Sequence, residues 1–213
     1  MSARLVQIVP IRSTAAEGVG DYATRIAERM LADHGVITRF IACTPLPPER
    51  RLHDEWETHE LARRHAHDLV AALEATGDAP VLLQLSGYGF HPRALTFWVG
   101  RALDRWRRGN PRRRVMTIFH ELYATGPIWS SPYWVSGLQI RGVRAIYRRS
   151  VAAIATTERN VGLLRGWEPE GPPLAWMPCF ATIGEPSGPT PPASERPATL
   201  AVFGRSSAER LSR

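Results

Sequence analysis

The chain has 213 residues, 44% of them hydrophobic, enough to bury one good core and begin a second. No stretch approaches the roughly 20 apolar residues of a membrane span, and the run Leu5–Ile11, interrupted by Gln7 and Pro10, does not read as a signal peptide. Twenty-seven basic residues, every one an arginine, face 20 acids and give a net charge of +7, which favours anionic partners without choosing among phosphates, nucleic acid and lipid headgroups.

Short apolar runs alternate with longer helical patterns, the signature of βαβ units and a parallel sheet. Leu5–Ile11 reads as the first strand. Ala23, Ile26, Ala27, Met30 and Leu31 then fall on one helix face, and Gly35 stands where such a helix ends. Val36–Cys43 is the second strand. Asp54 and Glu57 have the spacing of a capping box for a helix that buries Leu69, Val70 and Leu73. Val81–Leu85 is the third strand, with Pro92 expected as the first residue of the following helix. Val115–Phe119 is the fourth. A long loop leads to a helix turning Val135, Leu138, Gly142, Ala145 and Ile146 inward. Val151–Ala155 is the fifth strand, Glu158–Leu164 a short helix closed by Gly166, and Leu174–Met177 a sixth strand. Residues 183–198, rich in Pro, Gly, Ser and Glu, read as a linker, and Leu200–Phe203 restarts as a strand. Cys43 and Cys179 are too few for a disulfide framework and read as reduced, buried thiols. The expected location is the cytoplasm.

In an open parallel sheet, ligands bind beyond the carboxyl ends of the strands, and three loops there are unusual. The first ends in Gly18-Val19-Gly20-Asp21-Tyr22-Ala23 and opens into a helix; it is either a cradle for a phosphate or a tight turn capped by Asp21. The second, Gly87-Tyr88-Gly89-Phe90-His91, is either backbone folded closely around a ligand or a turn with Tyr88 and Phe90 in the core. The third begins Phe119-His120-Glu121 and continues through Trp129, Tyr133 and Trp134. It pairs a base and an acid suited to handling protons or binding hydroxyls with aromatic faces suited to sugar rings, or else it holds a buried, hydrogen-bonded histidine and ordinary packing aromatics. No second ligand stands at metal spacing from His120, so no metal is expected. The cluster Arg101, Arg105, Arg107, Arg108, Arg112, Arg113 and Arg114, with Phe97, Trp98, Leu103 and Trp106 in the same helix, reads as a solvated helix end or as a weak, reversible contact with anionic membranes; no nucleic acid is expected.

Four ordered segments resemble bacterial glycosyltransferases of the GT-B fold, in the family-four or group 1 set. They are Glu17–Ala23, Gly87–Arg93, Thr117–Tyr123 and Pro178–Glu185. The resemblance implies a Rossmann-like α/β domain, residues 1–182, that mainly holds the acceptor. A linker, residues 183–198, would follow, and residues 199–213 would begin a donor-binding domain, cut short. It further implies transfer of a sugar from a nucleotide-sugar to a sugar or lipid-linked acceptor, with no cofactor beyond the donor substrate; the inner face of the membrane is the second expected location. Gly18 and Gly20 would face the donor phosphates and acceptor, and His120 would lie near the transferred sugar. With Gly87, Gly89 and Glu121 from the loops above, these form the candidate site. Nothing after Phe203 supplies the spaced carboxylates with which such enzymes hold the donor. The chain alone is therefore expected to be inactive unless a separate chain supplies the second domain. The alternative is a non-catalytic module for sugars or lipid headgroups.

Overall fold

The computed structural model describes residues 4–14, 18–52, 54–124, 129, 131–180, 182, 188, 189, 192 and 194. Its contacts divide the chain into a unit Met1–Thr182 and a unit Ile183–Arg213; the fold and the site described below belong to the first. The expected strand at Leu200–Phe203 lies outside the described residues.

The first unit is a Rossmann-like α/β fold, a seven-stranded parallel sheet in the order β3-β2-β1-β4-β5-β6-β7. The strands are β1 (Arg4–Val9), β2 (Ile37–Ala42), β3 (Thr58–Glu60), β4 (Val81–Leu85), β5 (Val115–Phe119), β6 (Ala152–Ala155) and β7 (Leu174–Trp176). Between them run the helices α1 (Gly18–His34), α2 (Ala66–Glu74), α3 (Gly87–Phe90), α4 (Phe97–Gly109), α5 (Ser131–Arg149) and α6 (Glu158–Trp167). Parallel strands are covered on both faces and so read as near-continuous apolar runs. Accordingly β4 is buried at all five positions, and β1 at its last four.

The main core lies where α2, α4, α5 and α6 pack on one face of the sheet, around Leu69, Leu83, Trp106, Phe119 and Tyr147. On the other face α1 covers β1 and its neighbours through Tyr22, Ala23 and Ala27. Beyond α1 that face opens into an apolar hollow of about 490 Å³ lined by Leu5, Met30, Leu82, Met116, Ile118 and Ile154. No helix among the described residues is long and apolar enough to cross a membrane.

Several expected elements differ. Asp54 does not begin a helix: its carboxylate is taken by Arg12 and by the Trp56 N–H, and Thr58–Glu60 pairs with β2 as a short edge strand. The sheet thus has seven strands, and the helix starts at Ala66, where the His65 ring accepts from the His67 N–H. Pro92 is not the first residue of a helix either. His91 Nδ1 accepts from the Arg93 N–H and the His91 carbonyl accepts from the Ala94 N–H, closing a turn in which Ala94 takes φ 54°; α4 begins only at Phe97. Gly35, at φ 63°, does end α1, whereas α6 runs straight through Gly166. On α5 the inward residues are Gln139, Gly142, Val143, Ile146 and Tyr147, and Leu138 faces solvent. Gln139 turns inward because its amide accepts from the Ala124 N–H and donates to the Arg93 carbonyl, joining two loops. Of the two thiols, Cys43 is buried as expected and Cys179 is exposed.

Candidate functional site at the carboxyl ends of three adjacent strands

Strands β1, β4 and β5 are neighbours, and the three unusual loops leave their carboxyl ends. Gly18 and Gly20 stand in the first turn of α1 after β1, Gly87 and Gly89 in the one-turn helix α3 after β4, and His120 and Glu121 directly after β5. The structure therefore brings the sequence-derived candidates to one edge.

What each does there is more specific than the sequence suggested. Gly89 lies against Pro10 at the end of β1; a Cβ added to it would sit 2.5 Å from the Pro10 Cβ. Gly87 lies against Ala94, with 2.8 Å between an added Cβ and the Ala94 Cβ. Gly89 is required by the close approach of its loop to the end of β1, and Gly87 by the fold-back of that same loop onto Ala94. Gly18 is exposed, with open space where a Cβ would project. Phe90 is buried, but Tyr88 is exposed and does not join the core. Glu121 is also exposed; its carboxylate accepts from the Ser86 hydroxyl at 3.1 Å, bridging the loops after β4 and β5. Among the described residues no hydrogen bond joins it to His120.

His120 is the centre of the arrangement. Its N–H donates to the Leu85 carbonyl and its own carbonyl accepts from the Thr156 hydroxyl, so the main chain is held on both sides. The imidazole packs edge-on against Tyr22 of α1, with ring centroids 5.0 Å apart at 88°. Tyr22 in turn stacks on Phe180 at 4.2 Å. Burial pushes the His120 pKa down to about 4, so the ring is neutral at physiological pH. Burial, and then Cys179, raise that of Tyr22 to about 12. The Tyr22 hydroxyl is enclosed and has no partner, an uncommon state for a buried donor.

Behind His120 runs a chain of amides that the sequence reading missed. His120 Nε2 is 2.9 Å from Gln84 Oε1, Gln84 Nε2 is 2.8 Å from Gln7 Oε1, and Gln7 Nε2 is 3.0 Å from the Ala23 carbonyl. Gln7 and Gln84 are fully buried. The register explains the alignment. Gln7 pairs with Leu82 and Gln84 with Ile118, so each polar side chain stands two residues beyond its neighbour's partner, on the same face of the sheet.

Arg12, which follows β1, is not free to meet a ligand's phosphate. Its guanidinium is buried, ion-paired with Asp54, hydrogen-bonded to Thr24 and Thr58, and laid over the Phe40 ring at 4.0 Å. The aromatics after β5 are open: Trp129 is 83% and Trp134 73% exposed. The apolar face of α4 is not: Val99, Leu103 and Trp106 are spent on the core between α2 and α5.

No protein-family model matches the chain, and no curated protein matches its sequence.

The crevice between Gly87, Glu121 and Tyr123 encloses only about 20 Å³, well below the several hundred Å³ of an ordinary small-molecule site. The edge carries a neutral imidazole, glycine turns and exposed indoles. Chemically it can offer hydrogen bonds and aromatic faces to a hydroxylated ligand.

Proposed function

We propose that this chain is the acceptor-side half of a two-domain glycosyltransferase of the GT-B kind. In this reading the edge of β1, β4 and β5 forms one wall of a cleft in which a sugar passes from a nucleotide-sugar to an acceptor. The observation that carries it is the convergence of the two glycine turns and His120 at the carboxyl ends of three adjacent parallel strands. His120 would bind a hydroxyl of the transferred sugar, Gly18 and Gly20 would lie nearest the diphosphate, and the indoles after β5 would border the acceptor. The start of α1 lies at this edge, and the partial positive charge of a helix amino terminus favours developing negative charge.

The pairing of Arg12 with Asp54 favours a second reading, a sugar-binding module without turnover, because it withholds that guanidinium from the diphosphate. Calorimetry with a panel of nucleotide-sugars and methyl glycosides, followed by an assay for released nucleotide, separates the two. The expected result is measurable glycoside binding, weakened about tenfold in His120→Ala (about 1.4 kcal/mol), with transfer only when a donor-binding domain is supplied. Robust turnover by the 213-residue chain alone would overturn the half-enzyme reading. Failure of that domain to restore transfer while glycosides still bind would favour the module.

A further inference from the structure

The buried amides determine which nitrogen of His120 carries the proton. The Ala23 carbonyl can only accept, so the Gln7 group 3.0 Å away must be its NH2. That turns Gln7 Oε1 toward Gln84, which must therefore present its own NH2 there, at 2.8 Å. Gln84 Oε1 is left facing His120 Nε2 at 2.9 Å, and an oxygen acceptor requires that nitrogen to be protonated. Each link is forced by the one before, and the origin is a main-chain carbonyl that cannot be reversed. A single N–H on Nε2 of a neutral ring leaves Nδ1 with a lone pair. Nδ1 has no protein partner among the described residues, and it is not one of the enclosed polar atoms left without one.

We propose that Gln7 and Gln84 are positioning residues that lock His120 in the neutral Nε2–H tautomer and present Nδ1 to the ligand as a hydrogen-bond acceptor only. The site then accepts a hydroxyl or amide donor at His120 and gives no welcome there to a phosphate or carboxylate oxygen, which would meet a lone pair. Tyr22 reinforces the arrangement: its ring, at 88° to the imidazole, fixes the plane in which Nδ1 points. The idea deepens the glycosyltransferase reading by assigning the chemistry that His120 recognises, but the tautomer itself does not depend on that reading.

The test is nitrogen NMR of the full chain with labelled histidine. At neutral pH and without ligand, His120 should show one protonated nitrogen, Nε2, and one bare nitrogen, Nδ1. Gln84→Leu removes the acceptor and should turn this single form into a mixture of both tautomers. Gln84→Glu keeps an oxygen acceptor opposite Nε2 and should keep Nε2 protonated, whether or not its carboxylate draws a second proton onto Nδ1, an outcome that loss of packing would not produce. Amide spectra of the remaining residues show whether each variant is folded; if Gln84→Leu is not, wild type and Gln84→Glu still decide. A protonated Nδ1 in the wild-type chain overturns the proposal, as does a tautomer unmoved by Gln84→Leu in a folded variant. Adding methyl glycosides addresses the glycosyltransferase reading separately. A changed Nδ1 signal supports hydroxyl recognition, and none at saturation overturns His120 as the sugar contact while leaving the positioning role of the glutamines intact.

Discussion

Lowering the pH from 7 to 4 is expected to weaken the fold by on the order of 3 kcal/mol through His120 alone. In the folded chain the ring is buried, takes its proton only near pH 4, and is neighboured by Tyr22 and Gln84 rather than by a carboxylate that would welcome a cation. In the unfolded chain the same ring takes its proton near pH 6.5. Between those values the unfolded chain holds the extra proton, so stability is complete above about pH 6.5 and falls as the pH drops toward 4. The ion-paired carboxylates act in a different window. Arg63 holds Asp68, and Arg113 holds Glu74 and Asp78, below their usual values, so their contribution fades only under more acidic conditions. Urea unfolding at pH 7.5, 5.5 and 4.5 should show a steep decline for the wild type and a shallow one for His120→Gln. Equal declines would show that some other group carries the acid sensitivity.

Replacing Trp106 by alanine is expected to cost about 3–5 kcal/mol, the range for emptying a buried aromatic site. Trp106 is the largest fully buried side chain and stands where α4 meets the main core. It is also the platform for Arg113, whose guanidinium lies 4.8 Å from the ring centroid and donates to the Trp106 carbonyl. That guanidinium bonds both oxygens of Glu74 at the end of α2 and one of Asp78, so the indole supports the joint between α2 and α4. Trp106→Phe should cost less than half as much, because it keeps most of the ring and removes an indole N–H that is buried without a partner. Chemical denaturation of the two variants checks this. A loss for Trp106→Ala below about 1.5 kcal/mol would mean that the neighbours collapse into the space.

The elements legible in the sequence are those whose period or punctuation is strong. The apolar runs of β1, β2, β4 and β5 announce strands buried on two faces, and Gly35 marks the end of α1. β3 was not legible. Thr58-His59-Glu60 has no apolar run, and it becomes a strand only because Arg12 fixes Asp54 and leads the chain along β2. The start of α4 was hidden because Pro92 is as well suited to a turn as to a first helical position. At the site, His120 and the glycine turns could be placed by their position after strands. The glycines' partners, Pro10 and Ala94, could not, since they arise from how loops fold back. The amide chain joins residues as far apart as Gln7 and Gln84 and depends on register across three strands. Its trace in the sequence is a lone glutamine in each of two otherwise apolar stretches.

The contact between Gly87 and Ala94 has a consequence for how this sequence can change. Ala94 holds a left-handed backbone angle in which glycine would be relaxed, while Gly87 is a glycine for want of space beside the Ala94 methyl group. The methyl group is thus on the residue whose backbone tolerates it less well. Exchanging the two, Gly87→Ala together with Ala94→Gly, conserves the volume at the contact and removes the unfavourable angle. Gly87→Ala alone creates a collision, and Ala94→Gly alone leaves a gap. The two positions are therefore open to joint substitution and closed to the most direct single step at Gly87, a small instance of substitutions in contact whose effects do not add.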